Sequence, residues 1–275
     1  MKTLVWLASF PKSGNTWLRI FLANYLVNGT EPVPLNQLER YGTGDQLIRL
    51  YRKSLGQKAP NPFDDKATVR AREAAFRPLA TNGADVNFIK THNRNAMVLS
   101  ARLIPVSLTK RAFYIIRDPQ DVVVSYADHY DLTLEQAVAQ LSNPGNTILP
   151  NETAARQFLG SWSEHVLSWT SKTRFPVSII RYEDMIADPL GTFGQVVADL
   201  GAPEEPARLE RAVAHSSFES VSAQESKTGF IEKSPASTKF FRSGKIGEGR
   251  RTLPESLIDR LCSDHANVMK KFGYI

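Results

Sequence analysis

The run Ser9-Phe10-Pro11-Lys12-Ser13-Gly14-Asn15-Thr16-Trp17 places a lysine, two hydroxyl side chains and a glycine in the six residues that follow a proline. A turn of such residues at the start of a helix turns backbone N–H groups toward an anion, and Lys12 adds a point charge. Ser13 and Thr16 add hydroxyl donors. With Lys12 as the motif lysine, GxxxxGK[ST] requires glycines where Trp6 and Pro11 stand, so this is not a Walker A loop. A phosphate site without the usual magnesium scaffold is the expectation. A second run, Tyr114-Ile115-Ile116-Arg117-Asp118-Pro119-Gln120-Asp121, continues to Ser125 and Tyr126. Arg117 offers a planar fork suited to phosphate, and Ser125 falls two turns into the helix that follows. Each run admits a plainer account. The first could be a surface turn before a Thr-capped helix, and in the second Arg117 could pair with Asp121 while Asp118 caps the helix.

These residues need elements to position them. Thr3 to Ser9 is a short apolar, partly β-branched stretch ending at a Pro/Gly turn, and Thr16 to Val27 carries Trp17, Ile20, Phe21 and Tyr25 at helical spacing. Strand-sized stretches recur at Val86–Thr91, Ala112–Arg117 and Val177–Arg181, each before a helical pattern. That alternation builds a central parallel sheet with covering helices, a three-layer α/β/α sandwich with a P-loop-like turn. Arg117 then sits at the carboxyl end of its strand, where open α/β sheets bind ligands. Residues 29–85, rich in proline and charge and without a strand signal, and residues 224–251, polar and glycine-bearing, read as insertions near the site in a single domain spanning 1–275. Trp162, Val166 and Trp169 at helical spacing read as core.

The 275 residues, with 42% hydrophobic and 23% charged, exclude a disordered or fibrous chain. No apolar run approaches the roughly 20 residues that cross a bilayer, so integral membrane association is not expected. The apolar part of the opening segment, Leu4 to Phe10, runs into Lys12 without a small-residue cleavage site, so a secretory leader is not expected. A single cysteine, Cys262, and no Cys/His cluster at zinc spacing point to a reducing, cytoplasmic setting. The net charge of +6 favours anionic ligands and leaves nucleic acid, anionic lipid and phosphorylated small molecules open.

With Phe88-Ile89-Lys90-Thr91-His92, Arg181-Tyr182-Glu183-Asp184-Met185, His215-Ser216-Ser217-Phe218 and Phe241-Arg242-Ser243-Gly244-Lys245-Ile246-Gly247 added, the chain resembles the sulfotransferases that use 3′-phosphoadenosine 5′-phosphosulfate (PAPS). The resemblance runs from residue 5 to about residue 250, and its specificity lies in the order and spacing of the segments together. It implies that Lys12, Ser13, Gly14, Asn15, Thr16 and Trp17 cradle the 5′-phosphosulfate. Arg117 and Ser125 would hold the 3′-phosphate, joined by Arg242, Ser243 and Gly244. Tyr182, Ser216 and Phe218 match adenine-recognising positions, with ordinary core aromatics as the plainer alternative for Tyr182 and Phe218. His92 matches the catalytic base, and Lys90 the contact to the transferred sulfuryl group.

Charge supports this assignment. A donor of about −4, with nearly −2 on its 3′-phosphomonoester and about −1 on each of the phosphoryl and sulfuryl groups, meets four cations in Lys12, Lys90, Arg117 and Arg242. Sulfuryl transfer, like phosphoryl transfer, needs in-line positioning and charge neutralisation, which Lys12 and a helix dipole can supply without a metal. Histidine is mostly neutral at pH 7 and suits removal of a proton from an acceptor hydroxyl, less readily an amine. The expected product is adenosine 3′,5′-bisphosphate and the expected partner a small or medium-sized acceptor, with no nucleic acid. Acceptor identity would reside in residues 31–84, 93–109, 131–151 and 224–239. Tyr41, Tyr51, Phe63 and Phe76 would suit an aromatic acceptor or the packing of their own segment, and His129 a pocket wall or a helix end.

Two departures stand out. Cytosolic animal members continue the late loop as Gly-x-x-Gly-x-Trp, whereas Gly247 is followed here by Glu248 and Gly249, which implies a looser loop. Their C-terminal dimerisation signature is missing from Arg250 to Ile275, which leaves a homodimer open but not in their mode. The length resembles compact, soluble, bacterial-type members more than the Golgi carbohydrate enzymes. Two rivals remain at this level: a P-loop nucleotide-dependent kinase, which would need magnesium, and a non-catalytic nucleotide or nucleic-acid binder, which would be indifferent to His92.

Overall fold

A computed structural model describes residues 2–275. The chain forms two compact units: one comprises the residues up to Phe10 with Gly42–Tyr114 and Gln140–Ile179, the other Pro11–Tyr41, Ile115–Ala139 and Ile180–Ile275. In chain order the strands are β1 (Leu4–Ser9), β2 (Thr43–Gly44), β3 (Asn87–Thr91), β4 (Met97–Val98), β5 (Ala101–Arg102), β6 (Thr109–Ile116), β7 (Thr147–Ile148), β8 (Gln157–Phe158) and β9 (Val177–Arg181). Five of them make the central sheet of a three-layer α/β/α fold, in the order β2-β3-β1-β6-β9. All six residues of β1 are buried, which is why its sequence is a continuous apolar run and not an alternation. Its parallel register with β3 runs from Leu4 beside Asn87 to Ala8 beside Thr91.

In the first unit the helices Ile48–Leu55 and Asp65–Ala80 pack on each other, and Tyr51 and Phe76 are fully buried. Those two aromatics of residues 29–85 are therefore core, while Phe63 stays 59% exposed. The same segment contains β2, a strand that extends the sheet beside β3. Two residues are too short to leave a period in the sequence. The helix Trp162–Thr170 opens on a reciprocal capping box between Ser161 and Glu164. Trp162, Val166 and Trp169 are fully buried, in agreement with their spacing.

In the second unit the helix Asn15–Val27 packs against Pro206–His215, and the long C-terminal helix Glu255–Phe272 packs against Pro119–Tyr130. Ile20, Ala23, Val33, Leu35, Leu38, Val221 and Phe230 form a core cluster on which Tyr41, Phe240 and Phe241 rest. Phe230 contacts Phe240 edge-on at 4.8 Å and stacks with Phe241 at 5.7 Å between centroids. The segment 224–251, read from sequence as a polar insertion, is thus held by aromatic packing at both ends of its 230–241 stretch. The buried carboxylate of Glu225 adds to this by accepting the Phe240 and Phe241 amides at 2.6 and 3.0 Å.

Asp118 caps the helix Pro119–Tyr130 through the Gln120 amide at 2.9 Å. Burial pushes its carboxyl up to about 6, against the pull of that amide and with the help of Asp121 and Glu183. A carboxyl raised on folding contributes stability below its unfolded value near 4, and that stability is lost as pH rises through about 6. Asp118→Asn keeps the cap and should be more stable than wild type at pH 7 by up to about 2–3 kcal/mol, with the gap closing below pH 4. Denaturant titrations at the two pH values check this. An equal gap at both would remove Asp118 as the source.

Candidate active site

The turn from Pro11 to Gly14 belongs to the second unit and needs two left-handed residues, Lys12 at φ 67° and Gly14 at φ 104°. A lysine in that region is uncommon and marks a backbone shaped for a purpose. Gly14 precedes the helix Asn15–Val27 without a side-chain cap, and no acidic residue lies in the first turn. The dipole end of the helix is therefore not neutralised by its own side chains. The Ser13 hydroxyl and the Trp17 indole N–H are buried polar groups with no hydrogen-bond partner. The Lys12 ammonium lies 4.5 Å from the centre of the Phe240 ring.

Glycine is required at position 14 for a second reason: a Cβ there would come within 2.7 Å of Tyr182. Tyr182 lies against the turn, meets Trp17 edge-on at 5.8 Å and carries the Arg117 guanidinium over its ring at 4.2 Å. Gly14→Ala should cost about 1–3 kcal/mol through the positive φ and displace Tyr182. Its readout is a lower unfolding midpoint together with weaker nucleotide binding, and a variant equal to wild type in both would show that the turn tolerates a side chain.

Arg117 donates to the Lys12 carbonyl at 3.2 Å and to the Lys245 carbonyl at 3.1 Å, so one guanidinium ties the Pro11–Gly14 turn to the late loop. Its Nε is buried without a partner. The plainer reading of this run is also realised, since Asp121 lies 3.8 Å from Arg117 and Asp118 caps the helix. Asp121 does more: it accepts the Gly247 and Gly249 amides at 2.8 and 2.7 Å and so anchors the late loop. Arg242 and Ser243 are engaged by Glu248, Arg242 through a double ion pair at 2.5 and 2.7 Å and Ser243 at 3.0 Å. Burial raises the Glu248 carboxyl, but these contacts and Arg117 outweigh it and hold it below the ordinary range.

The remaining expected residues of this unit divide in two. Phe218 packs on Gly244, where a Cβ would meet its ring at 2.4 Å. Ser216 is buried and donates to the Val213 carbonyl at 3.1 Å, and Ser125 lies half-buried on the helix Pro119–Tyr130. His129, in the last turn of that helix, stands edge-on to Tyr130 at 4.7 Å.

Lys90 and His92 belong to the first unit, Lys90 within β3 and His92 just after it. The His92 Nδ1 lies 2.9 Å from the Ser9 carbonyl, which can only accept. That contact assigns the ring proton to Nδ1 and leaves the basic lone pair on Nε2. The residues on either side are fixed by a buried carboxylate: Thr91 and Asn93 donate to Asp45 at 2.6 and 2.9 Å, and Arg72 pairs with the same oxygen at 2.5 Å. Asn93 also accepts the Phe158 amide at 2.7 Å, and its carbonyl accepts the Trp169 indole at 3.1 Å. Sequence reasoning missed Asp45, Asn93, Glu225 and Glu248, and gave Asp121 only as the partner of Arg117, not as the anchor of the late loop.

Buried donors without acceptors, set beside an uncapped helix start, have the chemistry of an anion-binding turn. Residues 2–273 match the sulfotransferase domain family. Mouse sulfotransferase 1B1 is 26% identical over 88% of this chain and 74% of its own length. Flavonol 3-sulfotransferase of Flaveria bidentis is 25% identical over 94% and 78%. Among solved structures, mouse sulfotransferase SULT7A1 complexed with PAP superposes with a TM-score of 0.61 at 20% identity, covering 98% of this chain and 85% of that one. A retinol dehydratase in complex with retinol and PAP gives a TM-score of 0.66 at 20% identity, covering 98% and 82%. The chain belongs to the PAPS-dependent sulfotransferase family. Among the described residues no helix is long and apolar enough to cross a membrane, and no group of three or more His, Cys, Asp and Glu could hold a metal ion.

Proposed function

We propose that this enzyme moves the sulfuryl group of PAPS onto a hydroxyl, less readily an amine, of a small or medium-sized acceptor, with His92 as general base. The observation that carries the donor assignment is the set of three buried, partnerless donors at Ser13, Trp17 and Arg117, all on one unit. Donors without acceptors call for an anion with several oxygens, because leaving each unsatisfied costs about 1–3 kcal/mol. PAPS supplies the sulfuryl group and a bisphosphate leaving group. The PAP bound in the related SULT7A1 and retinol dehydratase structures is consistent with that chemistry.

Lys12 and the amides at the start of the helix Asn15–Val27 hold the 5′ side, where charge builds as the sulfur–oxygen bond to the leaving phosphate breaks. Arg117, Ser125 and the late-loop residues Arg242, Ser243 and Gly244 hold the 3′-phosphate. A phosphate reaching Arg242 and Ser243 competes with Glu248 for both. Tyr182, Ser216 and Phe218 receive the adenine. His92 accepts the acceptor proton on Nε2 as the new oxygen–sulfur bond forms, and Lys90 neutralises the sulfuryl oxygens.

Incubation with PAPS labelled in its sulfuryl group and a panel of phenols, alcohols and amines, in EDTA, tests this reading. Label should pass to hydroxyl acceptors ahead of amines of matched size and without added metal. Preference for amines, or transfer only with magnesium, would overturn it.

A further inference from the structure

His165 lies in the helix Trp162–Thr170 and is completely buried. Its Nε2 lies 3.0 Å from the carbonyl oxygen of His92. A carbonyl only accepts, so His165 carries its proton on Nε2 and presents a lone pair on Nδ1. The Tyr114 hydroxyl lies 2.9 Å from that Nδ1 and donates to it. The same hydroxyl oxygen is hydrogen-bonded by the Phe10 backbone amide. Phe10 shares its peptide group with Ser9, whose carbonyl accepts from His92 Nδ1 at 2.9 Å.

The contacts therefore close into a ring within one unit. It runs from the Ser9–Phe10 peptide to Tyr114, to His165, to the His92 carbonyl, through His92 itself, and back from its imidazole to the same peptide. Every donor in it has an acceptor, and the ring sets both the position of the His92 backbone and the tautomer of its imidazole. Burial pushes His165 down to about 3, against the pull of its contact with His92, so it stays neutral and keeps the lone pair that Tyr114 requires. Burial likewise holds the Tyr114 phenol well above its ordinary value, so it keeps its proton. Edge-on contact of His165 with Phe10 and near-parallel packing of Tyr114 on Trp169 hold the two rings in place.

We propose that His165 and Tyr114 are positioning residues for sulfuryl transfer, which lock His92 in the tautomer and place that a general base needs. This rests on the assignment of His92 as base. Misplacing a catalytic group by about 1 Å can cost on the order of 100-fold in rate. The side chain of glutamine carries an N–H where His165 has Nε2–H, whereas asparagine reaches only as far as Nδ1 and so keeps the Tyr114 contact alone.

The test compares His165→Asn, His165→Gln, Tyr114→Phe and His92→Ala in the full chain, measuring kcat, acceptor KM, bisphosphate Kd and the unfolding midpoint. His165→Asn should lose roughly 10- to 100-fold in kcat with KM and Kd within about threefold of wild type, and His165→Gln should recover most of it. Tyr114→Phe should lose kcat in the same selective way. Equal kcat in the asparagine and glutamine variants, or losses in Kd that match those in kcat, would overturn the proposal. If His165→Asn does not fold, Tyr114→Phe decides: wild-type kcat there overturns it. His92→Ala separates the two claims. An active His92→Ala enzyme defeats the base assignment and the positioning role together, whereas an inactive one beside a fully active His165→Asn defeats the positioning role alone.

Discussion

His92→Ala should lower turnover by about two to four powers of ten and leave the affinity for adenosine 3′,5′-bisphosphate within about twofold of wild type, the signature of a lost general base. The split follows from the assigned roles. His92 takes the proton of the acceptor, whereas the phosphates and the adenine fall to other residues. Its imidazole is fixed through Nδ1 on the Ser9 carbonyl, so truncation removes the proton acceptor on Nε2 together with that hydrogen bond. Rapid-quench turnover with saturating donor, paired with a binding titration, measures both quantities. Turnover equal to wild type would remove the base, and a large loss of bisphosphate affinity would make His92 a donor-binding residue instead.

Arg117→Ala should show the opposite pattern, with bisphosphate binding weaker by about 2–3 kcal/mol, or roughly 30- to 150-fold in Kd. Two effects add. The variant loses a charge-assisted contact to phosphate, and it releases the Lys12 and Lys245 carbonyls that the guanidinium holds together. Arg117→Lys should recover only part of the loss, because an ammonium lacks the fork and packs less well over the Tyr182 ring. Titrations of the folded variants decide it. Wild-type affinity in Arg117→Ala would leave Arg117 as the partner of Asp121 and nothing more.

What the sequence made legible is local. The strand Leu4–Ser9, the turn at Lys12 and the helix from Asn15 are contiguous, so small residues, a lysine and the switch of period give their order and chemistry. The strand of Tyr114 and the helix after Asp118 were legible for the same reason. Residues that act through the return of a distant segment were not. Asp121 receives the amides of Gly247 and Gly249, more than 120 positions on, and Glu225 receives those of Phe240 and Phe241. The four-residue spacing of Asp121 from Arg117 announces their ion pair but not the late loop, and nothing announces Glu225. His165 was hidden differently: in a helix with Trp162, Val166 and Trp169 it reads as one more buried position, and only the His92 carbonyl beside it gives it a role. The two-unit division was equally invisible, because each unit is assembled from separated stretches of chain and no linker composition marks the crossings.

The claim on which the rest depends is that the phosphate turn and its buried donors take a bisphosphate nucleotide without metal. Calorimetric titration with adenosine 3′,5′-bisphosphate and separately with ATP, each in EDTA and then with magnesium, tests it most directly. The predicted result is tight bisphosphate binding unchanged by magnesium, with ATP much weaker in both conditions. Absence of bisphosphate binding, or ATP binding that appears only with magnesium, would contradict the assignment of Lys12, Ser13, Trp17 and Arg117 to the sulfuryl donor.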